Sequence, residues 1–201
     1  MFGLTEVYEA SFDERFLQAA LELTDEMVAR FWDEKDGGFF FTAKGSADVV
    51  AKRKEVYDGA LPSGNSVALL NLLRLARLSG NTSYEELASR LSKTFSAEVK
   101  ESSSAHTFLL IGIDFAIGPA YNVTLVGDVN EESMLDMLRA LEMTYLPNTL
   151  VSLKPLGKAG LGYEQIDGKA TAYVCRGQTC LPPTNKAEVM LDLLGKRWTA
   201  S

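Results

Sequence analysis

The sequence predicts an α+β fold in two parts, a helical domain over residues 1–118 and a small α/β domain over 119–201. Three observations carry that prediction. Apolar residues recur at helical spacing through most of the first part, whereas short β-branched runs alternate with a helical stretch in the second. Of six prolines, only Pro62 precedes residue 119. Residues 1–118 carry 18 acidic and 12 basic side chains, against 9 and 8 in the remainder, so the net charge of −7 sits almost wholly in the first part. Gly118-Pro119 is the expected boundary.

The first helix is expected from Phe12 to Phe31. Phe12, Phe16, Ala20, Leu23, Met27 and Phe31 form its apolar stripe, with Glu14, Gln18, Glu22 and Asp25 on other faces. Gly37-Gly38 then permits a sharp reversal into a short extended piece, Phe39-Phe40-Phe41. A second helix runs from near Ser63 to Gly80 and is apolar nearly all round, as a helix enclosed on most sides would be. A third is expected from Ser83 to about Val99, opened by a Ser83–Glu86 capping box. A fourth, about Ser103 to Ile117, is again apolar on most faces. Alternation of amphipathic and enclosed helices fits two concentric layers, as in a partial α/α toroid of helical hairpins, and equally an irregular helical domain.

In the second part Tyr121–Val126 reads as a strand and Glu131–Thr144 as a helix with Met134, Leu135, Leu138 and Leu141 inward. Thr149–Leu153 is a second strand. Together they make a βαβ unit, expected to be parallel and right-handed. Ala170–Cys175 is a third strand, and Thr184 or Asn185 caps a last helix through Leu194.

Composition excludes several functions. At 201 residues and 46% hydrophobic, the chain can bury a large core and is too apolar for disorder. Its acidic balance gives no footprint for nucleic acid or an anionic membrane. Two cysteines are too few for a disulfide scaffold, and one histidine, His106, builds no histidine metal site. No metal or cofactor is expected. The apolar run Thr107–Gly127 is interrupted by Gly118-Pro119, so it reads as helix then strand, not as a membrane span. Without a basic, apolar leader, the expected location is cytoplasmic.

Three segments stand out: Phe31-Trp32-Asp33-Glu34-Lys35-Asp36-Gly37-Gly38-Phe39-Phe40, Tyr57-Asp58-Gly59-Ala60-Leu61-Pro62-Ser63-Gly64-Asn65-Ser66, and Val174-Cys175-Arg176-Gly177-Gln178-Thr179-Cys180-Leu181-Pro182-Pro183. They resemble the C-terminal part of the spermatogenesis-associated thioredoxin-like family. The resemblance implies a thioredoxin-like domain followed by a six-hairpin α/α toroid related to N-acylglucosamine 2-epimerases and glycosidases, closed by a small α/β segment. This chain would hold only the last toroid helices, without the thioredoxin-like domain.

The resemblance places a substrate site in the loops at one end of the barrel. Glu55 and Asp58 are then acid/base or hydroxyl-binding carboxylates, and His106 a proton carrier. Ser63, Gly64 and Asn65 begin a buried helix whose N–H groups could hold a sugar hydroxyl or an anion. The competing structural reading has Asp58 capping a turn, Ser63 capping the helix, and His106 capping or packing.

Cys175 and Cys180 are expected as reduced structural thiols; if the loop folds back the sulfurs could meet as a disulfide, which the cytosol disfavours, and a redox-responsive pair, with Arg176 lowering a thiolate pKa, is the alternative. Gly157–Gly162 fits no nucleotide-binding pattern and reads as a surface loop. Three functions follow. One is sugar binding or sugar isomerase- or hydrolase-like activity at the Asp58–Ser66 loop. Another is a non-catalytic module that pairs with a thioredoxin-like protein or with itself, since an incomplete toroid cannot cover Ser63–Ser79 and Ser103–Ile117. The third is a thiol redox switch.

Overall fold

A computed structural model describes residues 1–45, 53–154, 162–177 and 179–196. Helices and a mixed four-stranded sheet make the fold α+β. The chain divides into two compact units, Met1–Gly118 and Pro119–Ser201. Of the glycine-rich loop at 157–162, all but Gly162 lies outside the described residues.

In the first unit, α1 (Phe2–Ser11) and α2 (Glu14–Phe31) pack as a hairpin. The helix expected from Phe12 is α2, which begins two residues later at Glu14, and α1 ahead of it was not expected. Phe12 adopts the left-handed conformation at φ 53, and its N–H bonds to the Tyr8 carbonyl, closing α1. Asp13 then opens α2 by accepting from the Arg15 N–H at 3.0 Å.

After α2 the chain reverses through Gly37 and Gly38, at φ 76 and 77. Asp33 organises the turn by accepting from the Lys35 and Asp36 N–H groups. The Lys54 ammonium donates to Asp33 at 2.7 Å and to the Gly37 carbonyl at 2.9 Å. That bond to Lys54 holds the Asp33 carboxyl below the usual carboxylate range. Phe39 bridges back to Trp32, and Phe40 bridges to Lys54, so the Phe39–Phe41 and Arg53–Glu55 segments run antiparallel.

Helix α3 (Gly64–Ser79) begins at Ser63, whose hydroxyl accepts from the Ser66 N–H at 3.0 Å, and ends at Gly80. Leu69, Leu72 and Leu75 are fully buried, because α3 packs against α4 (Thr82–Thr94) and α6 (Thr107–Ile117) and also touches α1 and α2. Arg74, buried in mid-helix, ties α3 to α1 by pairing with Glu6 and Glu9. Asn81, not Ser83, caps α4: its side chain takes the Ser83 N–H, so the expected capping box does not form. After Thr94 a short α5 (Ser96–Glu101) continues the run.

A 3-10 turn, Ser103–Ala105, precedes α6, which starts four residues later than expected. Leu109, Gly112 and Phe115 are buried against α3, but Ile111 and Ile117 are 48% and 80% exposed. Within its unit α6 is thus covered on one stripe, not on most faces.

In the second unit, β1 (Tyr121–Val126), α7 (Glu132–Glu142) and β2 (Thr149–Lys154) form the βαβ unit, with β1 and β2 parallel from Tyr121↔Thr149 onward. β3 (Thr171–Arg176) pairs antiparallel with the other edge of β1, and β4 (Thr179–Cys180) with β3, giving the order β2-β1-β3-β4. Val123, Leu125, Ala172 and Val174 are buried on one face.

Helix α7 buries Met134, Met137, Ala140 and Leu141, while Leu135, expected inward, is exposed. It stands one position off the stripe that begins at Met134. The last helix, α8 (Ala187–Leu193), starts after Lys186 without a side-chain cap. Thr184 instead pairs with Ala172 through both backbone groups, extending the sheet.

A candidate ligand groove at the Asp58–Ser66 loop

The loop is built around Asp58. Its carboxylate accepts three backbone N–H bonds, from Ser63 at 2.8 Å, Phe108 at 2.9 Å and Leu109 at 3.0 Å. Phe108 and Leu109 lie in the first turn of α6, where N–H groups have no intrahelical acceptor. Asp58 therefore caps α6 from a loop fifty residues away in sequence, and its own N–H donates to the Ala105 carbonyl. With these bonds made, the carboxylate is a structural group.

Asn65 is equally committed. Its amide takes the Phe39 N–H at 2.7 Å and donates to the Phe39 and Glu55 carbonyls at 3.0 and 2.8 Å. It locks the Phe39–Phe41 and Glu55 segments onto the start of α3. The Ser63 hydroxyl is held between the Ser66 N–H and the Ser66 hydroxyl.

His106 is buried, and its Nδ1 lies 2.8 Å from the Ser102 carbonyl. A carbonyl only accepts, so Nδ1 carries the proton. His106 closes the turn before α6 and does not line the cavity beside the loop.

That cavity has a volume of about 500 Å³. It is lined by Phe31, Phe40, Phe41, Tyr57, Leu61 and Glu55 together with the start of α3. Phe41, Tyr57 and Leu61 form an open rim, 78%, 60% and 81% exposed. Among the described residues Glu55 is the one carboxylate on the wall; its side chain is 42% exposed, and Arg53 stands 3.7 Å away.

Gly64 and Asn65 bring two backbone N–H groups without intrahelical acceptors. A Cβ at Gly64 would meet nothing within 4 Å, so the space beside this helix start is open. The cavity thus combines aromatic surface, one acceptor carboxylate and helix-terminal donors. Of the sequence-predicted residues it gathers Glu55, Ser63, Gly64 and Asn65, and leaves Asp58 and His106 behind the wall. The aromatic rim was not foreseen; the run Phe39-Phe40-Phe41 was its only signal.

No protein-family model matches the sequence. Over 198 residues, covering 93% of the chain, 28% of positions are identical to spermatogenesis-associated protein 20 of Homo sapiens, and 27% to that of Mus musculus. The chain is similar to spermatogenesis-associated protein 20. An uncharacterised protein of Caenorhabditis elegans is 27% identical over 96% of the chain. The chain spans about a quarter of the length of these relatives, 25% for the two mammalian proteins and 27% for the nematode one. The names of these relatives state no substrate or reaction.

In the second unit, Cys175 and Cys180 are joined as a disulfide, not held as reduced thiols. They face each other directly across the β3–β4 ladder, which brings the sulfurs together. Arg176, next along β3, stands on the other face of the strand from them. Successive strand residues point to opposite faces, and Arg176 pairs with Thr179 on the other side. Among the described residues no cluster of three or more His, Cys, Asp or Glu could hold a metal, and no helix is long and apolar enough to cross a membrane.

Proposed function

We propose that this chain is a carbohydrate-binding part of a toroid-type protein, with its site in the groove at the Asp58–Ser66 loop. One observation carries the reading: the 500 Å³ cavity sets aromatic faces, the Glu55 carboxylate and the N–H groups of Gly64 and Asn65 around one space. A sugar ring has apolar C–H faces for aromatics and edge hydroxyls that both donate and accept. Glu55 would accept a hydrogen bond from one hydroxyl, and the α3 start would donate to a neighbouring oxygen.

Binding is favoured over turnover. Hydrolysis of a glycosidic bond uses two carboxyl groups flanking it, and Asp58 is committed to three backbone donors. Glu55 alone supplies one. Partial coverage of α6 and the exposed Phe41 and Leu61 favour the second reading, a module docking on a thioredoxin-like protein or on another copy of itself.

Titration of the chain with a panel of mono- and disaccharides, followed by NMR of the aromatic signals and by calorimetry, tests the first reading. At least one sugar should shift the Phe41 and Tyr57 resonances. Glu55→Gln should weaken that binding about tenfold, the equivalent of ~1.5 kcal/mol for a charge-assisted bond. Gly64→Val should block the groove without unfolding the protein. A panel that moves neither resonance sinks the sugar reading and leaves the docking one.

A further inference from the structure

β4 is two residues long and holds the edge of the sheet beside β3. Its disulfide joins a buried cysteine, Cys175, 8% exposed, to an exposed one, Cys180. On the opposite side of β3, Asn122 of β1 stands in direct register with Cys175. Directly paired residues put their side chains on one face, with Cβ atoms about 4.5–5.5 Å apart. Asn122, Cys175 and Cys180 therefore form a row across three strands.

The Asn122 Oδ1 atom is buried and accepts no hydrogen bond from any of the described residues. An acceptor buried without a donor is costly, and native proteins rarely keep one without reason. While the disulfide is closed, Cys175 has no hydrogen to offer. Once reduced, its thiol becomes an S–H donor in the register position facing that oxygen.

The fold can tolerate the opening. The disulfide closes a loop of only five residues' separation, where chain-entropy stabilisation is smallest. The ladder around it has its own bonds: Leu181 N–H to the Val174 carbonyl at 2.9 Å, and the reciprocal Ala172–Thr184 pair at 2.7 and 3.1 Å.

We propose that Cys175–Cys180 is a thiol–disulfide exchange site for an external thiol reductant, its reduced form held by a hydrogen bond from Cys175 to Asn122. A reductant thiolate attacks the exposed Cys180 sulfur. A mixed disulfide forms there, the Cys175–Cys180 bond breaks, and Cys175 leaves with the electron pair and takes a proton from solvent. A second reductant thiolate attacks the reductant sulfur of the mixed disulfide and releases Cys180. Two electrons pass to the protein, and the reductant ends as its own disulfide.

The test equilibrates the full chain with reduced and oxidised glutathione over a series of ratios, alkylates the free thiols and reads the mass. The bond should open reversibly with the far-ultraviolet circular dichroism unchanged. Asn122→Val should shift the equilibrium about tenfold toward the disulfide, which for two electrons is ~30 mV. Thr124→Val, two residues along on the same face and bonded to Ser152, should not. In Cys180→Ser the remaining Cys175 S–H stretch should lie below that of a free thiol, a readout that stands even where Asn122→Val fails to fold. A bond that opens only when the protein unfolds, an equilibrium indifferent to Asn122→Val, or a free-thiol band in Cys180→Ser overturns the proposal.

Discussion

Asp58 is the one carboxylate of the Asp58–Ser66 loop, and it ties together parts of the first unit that are distant in sequence. It gathers N–H donors from the start of α3 and from the first turn of α6, two segments that sequence keeps apart. Asp58→Ala would leave all three donors to water or to burial. The expected loss is about 2–4 kcal/mol of unfolding free energy, from a removed cap and charge-assisted bonds. Urea denaturation measures it; a loss under about 0.5 kcal/mol would show that water replaces the carboxylate without cost. Glu55 differs at the same scale: half exposed and paired only loosely with Arg53, it is free to serve a ligand.

At the scale of elements, the contact of α3 with α6 depends on the missing side chain at Gly112. A Cβ there would stand 2.9 Å from both the Cγ and the Cδ2 of Leu69, which is fully buried. Gly112→Ala would gain helix propensity, about 1 kcal/mol, yet must push Leu69 or the helix aside. Overpacking should win, with a net destabilisation of about 1–2 kcal/mol in a chemical denaturation series. Gly112→Ala combined with Leu69→Ala should recover part of what the two single changes lose, because the contact is shared. Elsewhere in the helical unit the elements depend on local chemistry that spacing can reveal: Ser63 and Gly80 bound α3 as expected. Caps supplied from a distance, such as Asp58 on α6, leave no periodic trace.

For the whole molecule, the pH dependence follows from carboxylates that folding acidifies. Asp33 has its pKa lowered, first by the bond from Lys54 and also by the Lys35 and Asp36 N–H groups. Asp13 is lowered by its bonds to Arg15. A folded-state pKa below the unfolded value of about 3.9 means the contribution is complete above that value and fades as pH falls through the folded one. Stability should therefore hold near neutrality and decline from about pH 4 downward. Thermal melts between pH 7 and pH 3 should show a shallower acid decline in Asp33→Asn; an identical decline in both proteins would remove Asp33 from the account.

Residue patterns alone established the α+β class, the extent of α3, the parallel β1-α7-β2 unit and the loop on which the groove is built. Each rests on local chemistry: a helical or strand period, a capping serine, a glycine stop. Tertiary structure decided the rest. It added α1 ahead of the expected helix and set that helix's start at Glu14, after a left-handed Phe12 and the Asp13 cap. It tied the Asp58 carboxylate to the start of α6, kept Glu55 on the groove wall and set an aromatic rim beside it. It paired Cys175 with Cys180 through strand register and set Asn122 beside them. These outcomes depend on which backbone donors and strand neighbours meet across the fold, a three-dimensional fact that periodicity along the chain does not encode.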